Sequence, residues 1–327
     1  MNDSTPITIR PRTRIITCPS GLVVTLRKYK VREENGLANE HKARAGTGLE
    51  DLLGACTLEV HDWGPYQNLK GYKPAKGQPA VVGPFPWRKA IQGDRSYAMM
   101  LLRITTHGGA YEFDETCDNV TCKKPIPWEV NLEDRPVQML SPADRKILEE
   151  GNRFKLEVPA GCVEGFDDRP CVVWYELATG ETEAVMSKKK AKYKERLSMF
   201  VLLLRIVEVE GVGKRPSTKL EDFLDNLDSD VADFIRADME THNCGVETTI
   251  RIQCQHCDTV KQVEVPFDSA FFSPQLAKKQ RVVEDLDDLE DLDEMETVDP
   301  EAEVVPRTTA QEDHQAELET QDPGSSS

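Results

Sequence analysis

Two cysteines near the C-terminal end constrain the fold most strongly. Cys254 and Cys257 stand between two runs of alternating apolar and polar residues, which predicts a β-hairpin with a Cys-x-x-Cys pair in its turn. A tight turn of this kind lets two thiolates point at one tetrahedral metal ion. The segment therefore predicts a metal knuckle that stabilises the hairpin, with the metal in a structural role.

A second cysteine pair could complete such a site. Cys117 and Cys122 are separated by four residues and lie between two strand-like runs, so two hairpins could together supply the four thiolates of a zinc ribbon. Alternative ligands near the knuckle are His242, Cys244 and His256, and an alternative partner pair for Cys117 and Cys122 is Cys162 and Cys171. The competing interpretation is free buried thiols that act as small hydrophobic residues. A sulfur-rich ligand set favours zinc over an iron–sulfur cluster.

Negative charge is concentrated at the C-terminal end. The chain has 327 residues and a net charge of −17, and residues 284–327 contain 17 acidic residues and one basic residue, so the remainder is nearly neutral. The segment Glu284–Met295 repeats two acidic residues and one apolar residue, a period that fits neither a helix nor a strand. Repulsion between these charges predicts a disordered acidic tail over residues 275–327. Such a tail solubilises the protein, docks on a basic groove of a partner, or screens a surface until a partner arrives.

No sequence signature of catalysis is found. The chain lacks a Gly-x-x-x-x-Gly-Lys loop, a Gly-x-Ser-x-Gly elbow and a His-Glu-x-x-His pair, and its six histidines are scattered. No apolar run approaches the length of a membrane span, and the first residues lack the features of a signal peptide, which predicts a cytosolic protein. We therefore expect a non-enzymatic protein with no small-molecule substrate.

Hydrophobic periodicity predicts an α+β fold made of small antiparallel hairpins and sheets with a helical layer. A hairpin is expected around Pro19–Gly21, a helix capped by Thr47 and Glu50 follows, and another helix is capped by Ser141. Residues 87–106 predict a helix buried on more than one side, and residues 183–242 predict a bundle-like layer whose helices are capped by Thr218 and by Asp228 or Ser229. The predicted regions are an extended arm (1–14), an α+β region (15–110), a β-rich region with cysteine pairs (111–180), the helical layer with the knuckle (181–274) and the acidic tail (275–327).

Residues 62–86 are predicted to form a docking loop. A Gly- and Pro-rich stretch of this length inside a domain is uncommon and usually binds something, although a surface loop pinned by its own aromatic rings is an equally good interpretation. The residues predicted to contact a partner are Trp63, Tyr66, Phe85 and Trp87 of this loop and Arg10, Arg12 and Arg14 of the arm. The lysine-rich run 188–196 indicates either a nucleic-acid contact or, more commonly, a solvated helix face.

The order of several short motifs resembles the baseplate proteins of T-even-type, contractile-tail phages. The motifs lie between Ile15 and Pro274 and include Pro19-Ser20-Gly21-Leu22, Trp63-Gly64-Pro65-Tyr66, Gly93-Asp94-Arg95, Trp128-Glu129-Val130-Asn131-Leu132 and Phe271-Phe272-Ser273-Pro274. This resemblance implies a structural or assembly role in the hub region of a tail baseplate, without catalysis. It also implies other hub proteins as partners, and a location in the host cytoplasm during assembly and in the virion afterwards.

Three functions remain open at this stage. The chain is expected to be a baseplate component that stays in the particle, an assembly chaperone of the hub that is lost from it, or a zinc-ribbon nucleic-acid-binding module. The acidic tail slightly favours the chaperone, and the net charge of −17 opposes nucleic-acid binding. In the first two cases we expect the knuckle to stabilise the C-terminal hairpin, and to pack Phe267, Phe271 and Phe272 against the apolar stripe of the 218–242 helices.

Overall fold

Small antiparallel sheets alternate with helices along the chain, and this arrangement is the predicted α+β fold. The computed structural model describes residues 11–37, 48–265 and 269–272. All of these belong to one unit, Met1–Lys278. Four predicted features lie outside the described residues: Arg10, the Thr47 cap, Phe267 and the acidic tail.

The strands pair in antiparallel fashion into five small sheets among the described residues. The strands are β1 (Thr13–Thr17), β2 (Val23–Arg27), β3 (Thr57–Asp62), β4 (Ala110–Thr116), β5 (Pro125–Asn131), β6 (Val137–Gln138), β7 (Phe154–Val158), β8 (Cys171–Tyr175), β9 (Ile206–Val209), β10 (Gly213–Lys214), β11 (Gly245–Val246), β12 (Thr249–Gln253) and β13 (Val260–Glu264). The sheet orders are β1-β2-β3, β10-β9-β8-β7, β11-β6, β4-β5 and β12-β13.

The described helices are mostly short. They are α1 (Val31–Leu37), α2 (Gly48–Cys56), α3 (Gln92–His107), α4 (Pro142–Glu150), α5 (Gly180–Lys189), α6 (Leu197–Arg205), α7 (Thr218–Asp225), α8 (Ser229–Thr241) and α9 (Ser269–Phe272). Helix α3 is buried on nearly every side, as its apolar composition predicts, and packs against α2, β1, β2 and β11. It is therefore the central element of the hydrophobic core.

The helical layer predicted over residues 183–242 is interrupted by two strands. The apolar run that forms α6 continues at Ile206 as β9, which pairs with β8 and β10 in the four-stranded sheet. The prediction of an unbroken layer was therefore wrong. The reason is that a short apolar run fits a buried strand as well as a buried helix, and only tertiary pairing decides between them.

The predicted caps gave mixed results. Ser141 accepts a hydrogen bond from the backbone amide of Asp144, so the cap of α4 is confirmed. Helix α7 instead begins after Ser217, which makes no side-chain cap, and the predicted capping role of Thr218 is wrong. Asp228 occupies the N-cap position of α8, also without a side-chain hydrogen bond. Helices α7 and α8 are therefore stabilised by burial of their apolar faces more than by side-chain capping at their N-termini.

A bidentate ion pair joins β2 to α1. The guanidinium of Arg27 donates to both carboxylate oxygens of Glu33 at 2.9 and 2.7 Å, and it also donates to the carbonyl of Ala55 at 2.6 Å. The backbone amide of Lys30 donates to the same carboxylate at 2.7 Å. The hydrogen bonds from Arg27, followed by that from Lys30, lower the pKa of Glu33 to about 2 against the cost of burial.

Replacing Glu33 with Gln should make stability less sensitive to acid. Because the pKa of Glu33 is lowered in the folded state, its stabilisation is fully present above the ordinary value of about 4.3 and is lost as pH falls through about 2. The difference in unfolding free energy between wild type and Glu33→Gln should therefore shrink between pH 5 and pH 2. Urea unfolding at several pH values in this range measures this difference in free energy. A difference that does not change with pH would contradict the lowered pKa of Glu33.

Close backbone contact between α3 and β11 requires glycine. A Cβ atom at Gly93 would lie 2.0 Å from the carbonyl oxygen of Cys244, and one at Gly245 would lie 2.9 Å from the Cα of Gly93. Gly245 also has a φ of +133°, which an L side chain rarely adopts. These glycines therefore let the central helix touch the strand that precedes the Cys254 hairpin.

Replacing Gly93 with Ala should destabilise the protein, because the added methyl group meets backbone that cannot rotate away. We expect a loss of about 1–3 kcal/mol, which lowers Tm by roughly 2–4 °C per kcal/mol in a domain of this size. Gly36→Ala is the matched control, since nothing lies within 4 Å of a Cβ at that position of α1. Equal melting temperatures for the two variants would contradict the packing argument.

Candidate metal centre

Two hairpins bring their turns together at one point. In the first, β4 and β5 pair from Ala110 opposite Asn131 to Thr116 opposite Pro125, and the turn that follows carries Cys117 and Cys122. In the second, β12 and β13 pair from Thr249 opposite Glu264 to Gln253 opposite Val260, and the turn carries Cys254 and Cys257. The alternating burial of the strands explains both hairpins, as the sequence predicted.

The two turns close in the same way. The amide of Cys117 donates to the carbonyl of Lys124 at 3.0 Å, and the amide of Cys254 donates to the carbonyl of Thr259 at 2.9 Å. In both turns the residue after the second cysteine has a positive φ, +47° at Lys123 and +56° at Asp258. These conformations turn the backbone sharply, so that both thiols of each pair face the same side.

The longer first turn has its own support. The side-chain oxygen of Asn119 accepts from the amide of Thr121 at 3.0 Å and from its hydroxyl at 2.8 Å. The carbonyl of Asn119 then accepts from the amides of Cys122 and Lys123 at 3.0 and 3.1 Å. This local turn takes up the two additional residues between Cys117 and Cys122.

The sulfur atoms of the four cysteines form one cluster. The Sγ atoms of Cys117 and Cys257 are 3.5 Å apart, those of Cys122 and Cys254 are 3.8 Å apart, and all four lie within 4.8 Å of one another. A tetrahedral ion with Zn–S bonds of about 2.3 Å requires sulfur separations of about 3.8 Å. A disulfide requires about 2.05 Å. The donor set and its spacing therefore fit a metal ion.

Hydrogen bonding and burial act differently on two of the thiols. Hydrogen bonds from the hydroxyl and the backbone of Thr259 lower the pKa of Cys257 to about 6, and its Sγ lies 3.2 Å from that hydroxyl. Burial raises the pKa of Cys117 to about 12. The amide of His256 donates to the Sγ of Cys254 at 3.5 Å. A bound cation would deprotonate all four thiols.

A lysine joins the two hairpins beside the cluster. Lys261 on β13 donates to the carboxylate of Glu115 at 3.0 Å, to the carbonyl of Thr116 at 2.9 Å and to Asp118 at 3.2 Å. The amide of Asn119 reaches the hydroxyl of Thr259 at 3.4 Å. These contacts hold the second hairpin against the first. The sequence did not reveal Lys261, because its partners lie more than 140 residues away.

The alternative ligands lie elsewhere in the fold. His242 contacts the carboxylate of Asp144 at 2.7 Å, and Cys244 packs against Gly93. Cys171 is buried in β8, and Cys162 is exposed in the preceding loop. His256 lies in the knuckle turn but outside the four-sulfur group. The proposals that placed His242, Cys244, Cys162 or Cys171 at the site are therefore wrong, because proximity in sequence did not give proximity in space.

Three aromatic residues in or directly after the 62–86 loop lie inside the protein. Tyr66, Phe85 and Trp87 are 3%, 0% and 2% exposed, and their rings pack edge to face at centroid distances of 5.0–5.4 Å. The indole of Trp87 donates to the hydroxyl of Thr57 at 2.9 Å. The prediction that these three rings contact a partner is corrected, since buried rings pin the loop to the core instead. Trp63 is half-buried, and Arg12 and Arg14 are exposed.

The C-terminal phenylalanines pack against α3 and β4 instead of the 218–242 helices. The Phe271 ring lies 5.0 Å from the Tyr111 ring, and Arg103 of α3 donates to the Phe271 carbonyl at 3.2 Å. Tyr29 donates to the Phe272 carbonyl at 2.6 Å. The predicted packing against the α7 and α8 stripe is therefore replaced by packing on the central helix.

Comparison with known proteins identifies the family. A family model described as T4 bacteriophage base plate protein matches residues 87–273. The match covers more than half of the chain, so the chain belongs to this family. A search of curated proteins and a search of solved structures found no match. The motifs upstream of residue 87 and the acidic segment lie outside the matched region.

Family membership indicates a protein of the phage tail whose partners are baseplate proteins. The matched region includes all four cysteines of the cluster and the central helix α3. None of the described helices is both long and apolar enough to cross a lipid bilayer.

Mutation of a cysteine in the cluster should remove the bound metal and lower the thermal stability of the protein. We expect the purified protein to contain about one zinc per chain, and Cys254→Ser to lose it, because three thiolates and a hydroxyl hold zinc more weakly than four thiolates. Tm should fall by more than about 5 °C, given roughly 2–4 °C per kcal/mol in a domain of this size. Elemental analysis and thermal unfolding measure both effects.

Cys162→Ser is the control for this experiment, because Cys162 is exposed and lies outside the cluster. It should leave zinc content and Tm unchanged. No zinc in the wild-type protein, together with an unchanged Tm in Cys254→Ser, would show that the four thiols are ordinary core residues.

Proposed function

We propose that this protein is a non-enzymatic structural component of the hub region of a phage tail baseplate. The observation that carries the proposal is the match to the baseplate family over residues 87–273, which contains the four-cysteine cluster and the helix beneath it. The hub position, the surfaces that contact other proteins and the absence of catalysis go beyond family membership.

The cluster supports a structural role. Four protein thiolates complete a tetrahedral zinc site and leave no coordination position for water or substrate, unlike catalytic zinc sites with three protein ligands. The hydroxyl of Thr259, 3.2 Å from the Sγ of Cys257, is not a general base. Zinc in this site would join two hairpins that are distant in sequence, and an iron–sulfur cluster is the less favoured occupant.

Partner contacts would come from the N-terminal part of the chain. Arg14 on strand β1 and Arg12 just before it are exposed, and Ile15 on β1 is 65% exposed. The half-buried ring of Trp63 belongs to the same proposal, and Arg10 is included from its sequence alone. An exposed edge strand with cationic and apolar side chains suits pairing with a neighbouring subunit.

The second candidate is an assembly chaperone of the hub that is absent from the mature particle. The observation that favours it is the concentration of 17 acidic residues within residues 284–327. A strongly anionic segment can cover a basic surface of a hub protein during assembly in the host cytoplasm and then leave with the chaperone.

Quantitative mass spectrometry of purified particles separates the two candidates. A baseplate component should be present in fixed proportion to the other baseplate proteins in washed particles. A chaperone should be missing from particles, and it should co-purify with hub proteins from infected cells.

Detached tails treated with high salt provide the control, because a surface contaminant is washed off and a baseplate component is retained. A protein found neither in particles nor with tail proteins in infected cells would contradict both candidates.

A further inference from the structure

A group of lysines lies exposed at the end of α5. Lys188, Lys189, Lys190 and Lys194 are exposed, and none of them forms an ion pair with a residue that the structure describes. The nearby cations are engaged: Arg196 pairs with Asp225 of α7, and the Nζ of Lys192 lies 5.0 Å from the centroid of the Tyr193 ring. Four lysines without an ion-pair partner among the described residues therefore share a short stretch of chain in a folded region that is nearly neutral.

The backbone that carries these lysines is held in place. Tyr193 is 4% exposed and stacks on Phe200 of α6 at a centroid distance of 4.2 Å, with the rings 3° from parallel. The buried ring fixes the turn between α5 and α6. The lysines therefore extend from an ordered turn, and a ligand would not have to order the backbone on binding.

Apolar side chains flank the lysines. Val185 on α5 is 36% exposed, and Leu197 and Val201 on α6 are 36% and 37% exposed. Leu197 and Val201 are four residues apart, so they lie on the same face of α6. Together with the four lysines, these three residues define what we call the basic surface.

We propose that the basic surface docks an acidic protein segment that carries regularly spaced leucines, supplied by a neighbouring protein of the assembly. The lysines complement the carboxylates, and the exposed valines and leucine complement the apolar side chains. The proposal rests on the proposed assembly role for the source of this segment.

The apolar flank favours a protein segment over nucleic acid. A phosphate backbone supplies charge but no aliphatic groups to contact Val185, Leu197 and Val201. The net charge of −17 also opposes a polyanion as long as a duplex, whereas a short peptide is affected mainly by charges within about 10 Å at 0.1 M salt.

A labelled peptide with the sequence of residues Glu284–Met295 has the required chemistry and serves as the probe. Titration against the full chain at low salt should show saturable binding. Replacing Lys188, Lys189, Lys190 and Lys194 with Gln should weaken it by roughly tenfold or more, since each contact with a charged partner contributes a fraction of that change. Replacing the equally exposed Lys70, Lys73, Lys76 and Lys219 with Gln removes the same charge and should change it by less than about twofold.

A second peptide tests the apolar part. It keeps every carboxylate and carries Ser in place of Leu286, Leu289, Leu292 and Met295, and it should bind at least about fivefold more weakly. Three results would each overturn the proposal. The two fourfold Lys→Gln variants weaken binding equally, the two peptides bind equally well, or duplex DNA binds more tightly than the peptide at the same salt concentration. Because binding is measured on the isolated chain, the result is independent of whether the protein is found in particles.

Discussion

Convergence of four thiols from two distant hairpins is the constraint on which the rest of this structure depends. The pairs Cys117–Cys257 and Cys122–Cys254 join segments 140 and 132 residues apart. Closing a loop of that length costs conformational entropy, and a two-stranded hairpin is marginally stable by itself. A zinc ion bound by all four sulfurs would offset both costs at a single point.

The surrounding contacts connect the cysteine cluster to the rest of the core. Lys261 bridges the two hairpins, and Gly93 lets the central helix touch the strand that leads into the second one. Arg103 of that helix then holds the carbonyl of Phe271, just after the second hairpin. The helix near the start of the family-matched region thus contacts the segment at its C-terminal end.

Features that depend on residues close together in the sequence could be predicted, and features that depend on residues far apart in the sequence could not. The Cys254 hairpin and the Ser141 cap depend on neighbouring residues, so periodicity and cap chemistry identified them. The choice of partner for Cys254 depends on tertiary folding, and the sequence left Cys122, Cys244 and others open. For the same reason the sequence left two equal interpretations of the loop, partner contact or rings that pin it to the core, and the burial of Tyr66, Phe85 and Trp87 decides for the second.

The measurement that tests the central claim most directly is X-ray absorption at the zinc edge on the purified, metal-loaded protein. The account predicts a single shell of four sulfur atoms at about 2.3 Å. A shell with nitrogen or oxygen atoms at about 2.0 Å would mean that the ligands are not the four cysteines. Failure to retain any zinc would contradict the claim that a metal ion joins the two hairpins.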